Sequence, residues 1–337
     1  MSWLKNILPV FLVPLSWLYG FVVFIRNILF DENILHSHTV SIPTICVGNI
    51  AVGGTGKTPH VEYLIRLLKD KYTIAVLSRG YGRKSHGFVM ADEHSSADSI
   101  GDEMMQMHSK FPDVTMAVCV DRVKGIKLLQ QRVPSLQVVI LDDAFQYRRL
   151  KCGYNILLTP YDNLYVNDHL MPWGRLREQT QGSLRAQTIV VTKCPDDIRP
   201  VDMRVVDTTL HLPAYQKLYF SRIEYDALPS KGTPLVLTGI ANPQYLMNYV
   251  TSQCPNAKLL AFADHHRFTK ADIELITNEA NHYDYILTTE KDKARLDAIS
   301  LPESLQNKIY TLPIKVQILN KPETFERQIC SFVYGSL

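Results

Sequence analysis

The feature that most constrains what this chain can fold into is a glycine-rich loop, AVGGTGKT, at residues 51–58. An apolar segment, residues 41–50, precedes the loop and is predicted to be a buried strand. A segment with helical spacing of apolar residues follows, and Pro59 lies in its first turn. Glycines let backbone N–H groups close around phosphate oxygens, and the helix N-terminus adds a favourable dipole. This pattern is typical of a P-loop and predicts nucleotide binding.

Each position of the loop has a predicted contact with the nucleotide. These positions are Ala51, Val52, Gly53, Gly54, Thr55, Gly56, Lys57 and Thr58. Lys57 can reach the β- and γ-phosphates, and the Thr58 hydroxyl can ligate Mg²⁺. Ala51 stands where the usual pattern has its first glycine, whereas the GGTGKT core is intact. The strand and helix on either side favour a functional loop over a glycine-rich turn.

A second motif lies further along the chain, where an apolar strand, QVVILDD, ends in Asp142 and Asp143. Ligands of open α/β sheets bind at the carboxyl ends of strands, so one of these carboxylates is expected to hold Mg²⁺, directly or through water. Paired aspartates can also cap helices. Together with the P-loop, the pair is interpreted as a Walker B motif. These two motifs predict nucleotide binding, and they do not separate a kinase from a switch or an ATPase.

The order of predicted elements indicates the fold class. After residue 40, strand-like and helix-like segments alternate, which predicts an α/β fold with a doubly wound parallel sheet of the P-loop NTPase type. The predicted units are an N-terminal helix at 1–30, a P-loop domain at 31–225 and a smaller α/β domain at 226–337. A stretch containing proline and glycine, ALPSKGTP, places the second boundary. The final strand and helix are alternatively expected to return to the first domain.

The N-terminus contains no charged residue between Lys5 and Arg26. About 20 apolar residues are enough to span a bilayer. Two prolines and a glycine interrupt the segment, and the aromatic residues Trp3, Trp17 and Tyr19 favour the headgroup level of a bilayer, so we favour an apolar helix that lies in the membrane interface. A transmembrane span, a cleaved signal peptide and a buried core helix remain alternatives. In each membrane interpretation, the domain that follows faces the cytoplasm, because ATP is there.

Composition excludes several classes of partner and site. The net charge is +3 over 337 residues with no clustered basic stripe, so no nucleic-acid partner is expected. Six scattered cysteines without a CxxC pair argue against a zinc site or a disulfide framework, and they fit a reducing compartment. A monomer is expected.

Taken together, the motifs resemble those of the tetraacyldisaccharide 4'-kinase family, the lipid A 4'-kinases. The matching stretches are VGNIAVGGTGKTP, LSRGYGRK, GDEM, VDRVKG, LDDAFQYRRL, MPWGRLRE, FADHHRF and TTEKDKARL. The resemblance implies an enzyme that uses ATP and Mg²⁺ to phosphorylate the 4'-hydroxyl of a tetraacylated disaccharide 1-phosphate, a lipid-linked sugar. It also implies work at the cytoplasmic face of the inner membrane of a Gram-negative bacterium, reached through the N-terminal helix.

The resemblance implies roles for residues that the sequence alone leaves open. Asp102 would be the general base that accepts the proton of the sugar hydroxyl, and Glu103 would help to hold Mg²⁺. His265, favoured over His266 by alignment, would pair with Asp102. Without the resemblance, Asp102 and Glu103 would be a charge pair in the first turn of a helix, and the histidines would be a cap or a surface cluster.

The resemblance also implies contacts with substrate or phosphate. Their residues are Tyr81, Arg122, Gln146 and Arg177. Guanidinium groups suit phosphate, although both arginines could instead form ordinary surface ion pairs. The sequence departs from the family pattern DDGFQHR at two positions, where Ala144 replaces a glycine and Tyr147 replaces a histidine. A phenol cannot carry an imidazole's charge at neutral pH, so Tyr147 cannot supply a positive charge in that histidine's place.

Two other classes of function compete with the kinase. A membrane-bound nucleotide switch would use Thr192-Lys193 or Glu290-Lys291-Asp292 to read a guanine base, although both matches to that motif are imperfect. A soluble P-loop ligase of the dethiobiotin-synthetase type would leave the apolar N-terminus unexplained.

Overall fold

The structure is a computed structural model that describes residues 2–229, 232–240, 242–264, 266–297, 299 and 301–337, with side chains from residue 12 onward. Within these described residues, thirteen strands form two sheets. They are β1 (Thr44–Gly48), β2 (Ile74–Ser78), β3 (Val89–Met90), β4 (Thr115–Val118), β5 (Val138–Asp142), β6 (Tyr154–Pro160), β7 (Thr188–Thr192), β8 (Lys217–Tyr225), β9 (Pro234–Thr238), β10 (Lys258–Ala261), β11 (Tyr285–Thr289), β12 (Ile309–Leu312) and β13 (Ile314–Ile318).

Eleven α-helices lie in the described part of the chain, with 3₁₀ turns at Tyr165–Asn167 and Thr180–Arg185. The helices are α1 (Ser2–Asp31), α2 (Lys57–Leu68), α3 (Ala97–Ile100), α4 (Asp102–Lys110), α5 (Arg122–Arg132), α6 (Pro200–Leu210), α7 (Gln244–Gln253), α8 (Lys270–Ala280), α9 (Glu290–Leu296), α10 (Glu303–Gln306) and α11 (Pro322–Ser336).

The larger sheet has nine strands in the order β13-β8-β7-β6-β1-β5-β2-β4-β3. Its central strands are parallel and fully buried, as expected for runs of Val, Ile and Leu covered by helices on both faces. The pairs at the two edges, β3 with β4 and β8 with β13, are antiparallel. The smaller sheet is entirely parallel in the order β10-β9-β11-β12. The predicted α/β class with two sheets is thus confirmed.

Helices cover both faces of the larger sheet and create two cores. On one face, Leu64 of α2 and Met107 of α4 pack with Ile329 of α11. On the other face, Ile126 of α5 and Val206 of α6 pack against the sheet. Because α2 follows the P-loop and α4 begins at Asp102, the first of these cores sets the positions of both segments.

The chain returns to the larger sheet after the smaller one is complete. Strand β13 pairs with β8, joining Ile314 to Tyr225 and Ile318 to Ser221. Helix α11 then adds Phe325 to the core beneath the P-loop helix. Strand β12 of the smaller sheet and strand β13 of the larger sheet are consecutive in the chain, so a very short connection joins the two sheets. The domain limits at residues 30 and 225 remain predictions.

Helix α1 lies on the outside of the molecule. Its window Leu12–Asp31 is long and apolar enough to cross a membrane by length and composition, and only 11% of that window is buried. Trp17, Leu18 and Phe21 are exposed. The other side of the helix is fixed to the loop before the second 3₁₀ turn, where Ser16 Oγ donates to Leu170 O at 3.0 Å and Tyr19 Oη donates to Arg177 O at 2.7 Å.

Candidate functional site

The carboxyl ends of β1, β2, β5 and β7 open into a cleft of about 1620 Å³ between the two sheets. The P-loop forms one wall of this cleft, and α7 of the smaller sheet's unit contributes to the opposite wall. Strand β1 is the point where the order of strands reverses, with β5 on one side and β6 on the other. Open α/β sheets bind ligands at such points.

The P-loop takes a conformation that its glycines permit. Gly53 and Gly56 have φ of 108° and 88°, which L-residues with side chains rarely adopt. Asn49 Nδ2 donates to Thr55 Oγ1 at 2.8 Å, and Thr192 Oγ1 donates to Thr55 O at 2.8 Å. Strands β1 and β7 thus hold the loop from both sides. Lys57 and Thr58 are the first two residues of α2, and all eight predicted loop residues except Ala51 line the cleft.

Asp142, at the end of β5, is a buried carboxylate, with 1% of its surface exposed. Its Oδ2 accepts a hydrogen bond from Ser78 Oγ at 3.1 Å, and within the described residues its Oδ1 has no partner. Burial, followed by the charges of Glu103 and Asp143, raises the pKa of Asp142 to about 7. A buried carboxylate with an unpaired oxygen and acidic neighbours is an environment that a divalent cation would stabilise.

Asp143 has the opposite surroundings, because cations flank it. Lys57 Nζ lies 3.7 Å from its Oδ2, and Arg177 Nη1 lies 3.2 Å from its Oδ1. Arg177 Nη1 also donates to Gln146 Oε1 at 3.2 Å, and Gln146 Nε2 donates to Asn49 O at 2.5 Å. The structure therefore brings the P-loop lysine, the second Walker B aspartate and two predicted substrate contacts together in one network.

The N-terminus of α4 is fixed by Gly101, whose φ is 87°. A Cβ at this position would lie 2.8 Å from the backbone oxygen of Tyr81, so a side chain cannot be accommodated there without movement. Glu103 lines the cleft beside Asp142. Asp102 Oδ2 accepts from Arg295 Nη2 at 2.8 Å, a contact between the units of the two sheets. His265, its predicted partner, lies outside the described residues.

Arg122 and Tyr147 form a packed pair at the mouth of the cleft. The Arg122 guanidinium is 5.3 Å from the centre of the Tyr147 ring, and Tyr147 Oη donates to Asp121 Oδ1 at 2.9 Å. Arg122 is 4% exposed, and burial lowers its pKa, with the charge of Arg79 acting in the same direction. Tyr147, which departs from the family pattern, therefore packs the face of its ring against the Arg122 guanidinium. Tyr81 also lines the cleft and is strongly exposed.

Two cationic side chains at this site, Arg295 and Lys193, are not among the residues that the sequence motifs single out for the kinase. Arg295 contacts Asp102, and Lys193 lies at the mouth of the P-loop, where its Nζ is 4.0 Å from the position of a Cβ built on Gly54. Lys193 is also 5.3 Å from the Tyr245 ring centre, and burial lowers its pKa. In the sequence, Lys193 belongs to the dipeptide Thr192-Lys193 after a strand, and Arg295 belongs to the TTEKDKARL stretch. Neither pattern indicates which residues these side chains contact in the folded protein.

No group of three or more His, Cys, Asp or Glu side chains in the described part of the chain is preformed to hold a metal. This finding is compatible with Mg²⁺, which usually takes one or two carboxylates together with water and substrate phosphates. The orphaned Asp142 Oδ1 is a suitable donor of this kind.

The comparisons with known proteins agree with this geometry. A model of the tetraacyldisaccharide-1-P 4'-kinase family matches residues 8–334. The chain belongs to this family. A tetraacyldisaccharide 4'-kinase of Bacteroides thetaiotaomicron is 46% identical, over 96% of this chain and 92% of the relative. One from Flavobacterium johnsoniae is 44% identical, over 98% of this chain and 99% of the relative.

A solved structure resembles the whole fold. It is the crystal structure of LpxK from Aquifex aeolicus in complex with ATP, with a TM-score of 0.72 and 28% sequence identity, and the match covers 96% of this chain and 98% of that one. The predicted resemblance is confirmed, and so is the prediction of a kinase. Family membership decides against the nucleotide switch and the soluble ligase.

Proposed function

We propose that this chain transfers the γ-phosphate of ATP to the 4'-hydroxyl of a tetraacyldisaccharide 1-phosphate. The observation that carries this proposal is the convergence of the P-loop, Asp142 and the first turn of α4 on one cleft, in a member of a kinase family. The relative from A. aeolicus was crystallised with ATP, which supports ATP as the donor. Phosphoryl transfer requires positioning and electrostatic stabilisation more than covalent help, and this cleft has suitable groups for both.

Magnesium is the cation that these residues would hold. Thr58, Asp142 and Asp143 would take part in its shell with Glu103, and the unpaired Oδ1 of Asp142 is the first candidate donor. When bound, Mg²⁺ would neutralise charge on the β- and γ-phosphates. Lys57 would contact the same phosphates from the P-loop.

The remaining residues have roles in positioning the acceptor and balancing charge. Asp102 is the proposed general base for the sugar hydroxyl, with His265 as its proposed partner. Arg122 and Arg177 would neutralise phosphate charge, since both line the cleft with their guanidinium groups partly or fully buried. Gln146 and Tyr81 would contact the substrate.

Helix α1 would bring the active site to its acylated substrate. Trp17, Leu18 and Phe21 form an exposed apolar face, while Ser16 and Tyr19 fix the opposite face to the loop that carries Arg177. A helix with this asymmetry suits the headgroup region of a bilayer. The proposed location is the cytoplasmic face of the inner membrane, with α1 in the interface.

Transfer of label from γ-labelled ATP with Mg²⁺ to tetraacyldisaccharide 1-phosphate in detergent micelles tests the proposal. Wild type should label the lipid. Asp102→Asn should lose about 10²- to 10⁴-fold in rate, the usual contribution of a general base, with ATP binding retained. Guanine-selective hydrolysis without lipid labelling would contradict the proposal.

A further inference from the structure

Helix α9 of the smaller sheet's unit lies antiparallel to α4, and ion pairs join both ends of the two helices. At one end, Arg295 contacts Asp102. At the other, Lys110 Nζ lies 2.6 Å from Glu290 Oε1 and 2.7 Å from Glu62 Oε2. Glu290 and Arg295 both belong to the TTEKDKARL stretch, so these ion pairs place that stretch against α4. The P-loop and the Walker B motif do not account for the stretch.

The contact at the Asp102 end is directional. Arg295 Nε and Nη2 both donate to Asp102 Oδ2, at 3.0 and 2.8 Å. Its Nη1 donates to Asp292 Oδ1 at 2.9 Å and to Gly239 O at 3.2 Å. Only 7% of the Arg295 side chain is exposed. A planar guanidinium that is bonded on two sides has little freedom to rotate, so it fixes the carboxylate oxygen that it contacts.

Asp292 in turn fixes Arg295. It is fully buried, and its Oδ2 accepts hydrogen bonds from Thr238 Oγ1, Gly239 N and Thr289 Oγ1 at 3.0, 3.0 and 2.8 Å. Thr238 and Thr289 are the last residues of β9 and β11. The orientation of Asp102 is thus set by a chain of bonds that begins at the strand ends of the smaller sheet.

We propose that Arg295 is a positioning residue for phosphoryl transfer, which holds the Asp102 carboxylate in the orientation it needs to receive the hydroxyl proton. This inference rests on the proposed function, in which Asp102 is the base. The base is then completed only when the smaller sheet's unit is docked against α4. Arg295 acts through Asp102 and does not touch the reacting atoms.

The other end of the same helix pair provides a matched control. Glu290→Gln removes the pairing with Lys110, which keeps its contact with Glu62, and leaves Asp102 and Arg295 unchanged. If ion pairs merely fasten the two units together, Glu290→Gln and Arg295→Met should lower the transfer rate alike. If Arg295 positions the base, only Arg295→Met should lower it strongly.

The experiment is a double-mutant cycle on the full chain with Asp102→Asn, measuring kcat, KM for ATP and the midpoint of thermal unfolding. Arg295→Met should lower kcat by about 10²-fold, the cost of a small misplacement of a reacting group, with KM for ATP unchanged. In the Asp102→Asn background, the same change should cost nothing further, because the group it positions is already disabled. Arg295→Lys should recover part of kcat, and it carries the cycle if Arg295→Met does not fold.

Equal losses from Arg295→Met in both backgrounds would overturn the inference, as would an equal loss from Glu290→Gln. If Asp102→Asn keeps wild-type transfer to the lipid, the base assignment fails and the positioning role fails with it. If wild type labels no lipid, the proposed function itself fails. The two failures are therefore distinguishable.

Discussion

The Nζ atom of Lys57 lies 3.7 Å from Oδ2 of Asp143, whereas the neighbouring Asp142 is almost completely buried and accepts a hydrogen bond from the neutral hydroxyl of Ser78. Arg177 adds a second cation at Asp143. Two adjacent carboxylates at the end of one strand therefore have opposite electrostatic surroundings. Neutralising each should have opposite effects on stability.

Asp142→Asn should make the protein more stable to heat and far less active. The folded-state pKa of about 7 is above the ordinary value of 3.8, so this carboxyl costs stability progressively as the pH rises from about 4 to 7, and the full cost is present above the folded pKa. Each pKa unit corresponds to about 1.4 kcal/mol. At about pH 8, we expect a rise of a few degrees in the unfolding midpoint by calorimetry, and loss of most lipid phosphorylation. A lower midpoint would contradict the assignment of Asp142 as a destabilised carboxylate.

Asp143→Asn should act in the opposite direction on stability. It leaves Lys57 and Arg177 without their shared carboxylate, so we expect a loss of about 1 kcal/mol in the free energy of unfolding, because these groups are partly exposed. Urea denaturation of the two variants side by side provides the comparison. Identical shifts for both variants would show that their surroundings do not differ as described.

Tyr147 should act through its ring more than through its hydroxyl. Tyr147→Phe removes the hydrogen bond to Asp121, at a cost of about 1 kcal/mol in stability, and it leaves the ring beneath Arg122. Tyr147→Ala removes the ring as well, so Arg122 loses its support. Steady-state kinetics with varied lipid should show near-normal transfer for Tyr147→Phe and a raised KM for Tyr147→Ala. Equal kinetics for the two variants would exclude a role for the ring.

His60 should make the protein sensitive to mild acid. Its ring is buried in α2, bonded to Gly56 O at 2.7 Å and to Ser221 Oγ at 2.9 Å, and burial lowers its pKa to about 4. Since the unfolded value is 6.5, the stabilisation is complete above about pH 6.5 and is lost as the pH falls towards 4. The total loss is about 3 kcal/mol. Urea denaturation should show that His60→Gln removes this dependence, and the same slope in both proteins would contradict it.

The exposed face of α1 should determine membrane binding. Replacing Trp17 and Phe21 with Asp places charge on that face and should reduce co-sedimentation with anionic phospholipid vesicles by at least about tenfold. Val205→Asp, an equally exposed apolar position on α6, is the matched control and should sediment like wild type. ATP binding should be unchanged in all variants. Equal loss with the control would point to general surface hydrophobicity.

Local patterns in the sequence predicted the parts of the site that are continuous in the chain. The P-loop could be predicted because a strand, a glycine-rich turn and a helix follow one another, and Asp142 because it ends an apolar strand. Arg295 could not be assigned, because its contact with Asp102 spans 193 residues and depends on how two sheets pack. The hydrogen bond from Tyr147 to Asp121 could not be predicted either, because the sequence next to Tyr147 does not indicate a contact with a residue 26 positions away.

The return of β13 and α11 to the larger sheet has a consequence for how the protein is made. The P-loop is synthesised early, but the core beneath its helix includes Val316, Phe325 and Ile329, which leave the ribosome only after the smaller sheet is complete. Contacts so distant in sequence form late and slowly. The hydrophobic core beneath the helix of the phosphate-binding loop is thus complete only near the end of translation. A stalled or truncated chain would contain the P-loop sequence but lack part of the core that holds its helix in place.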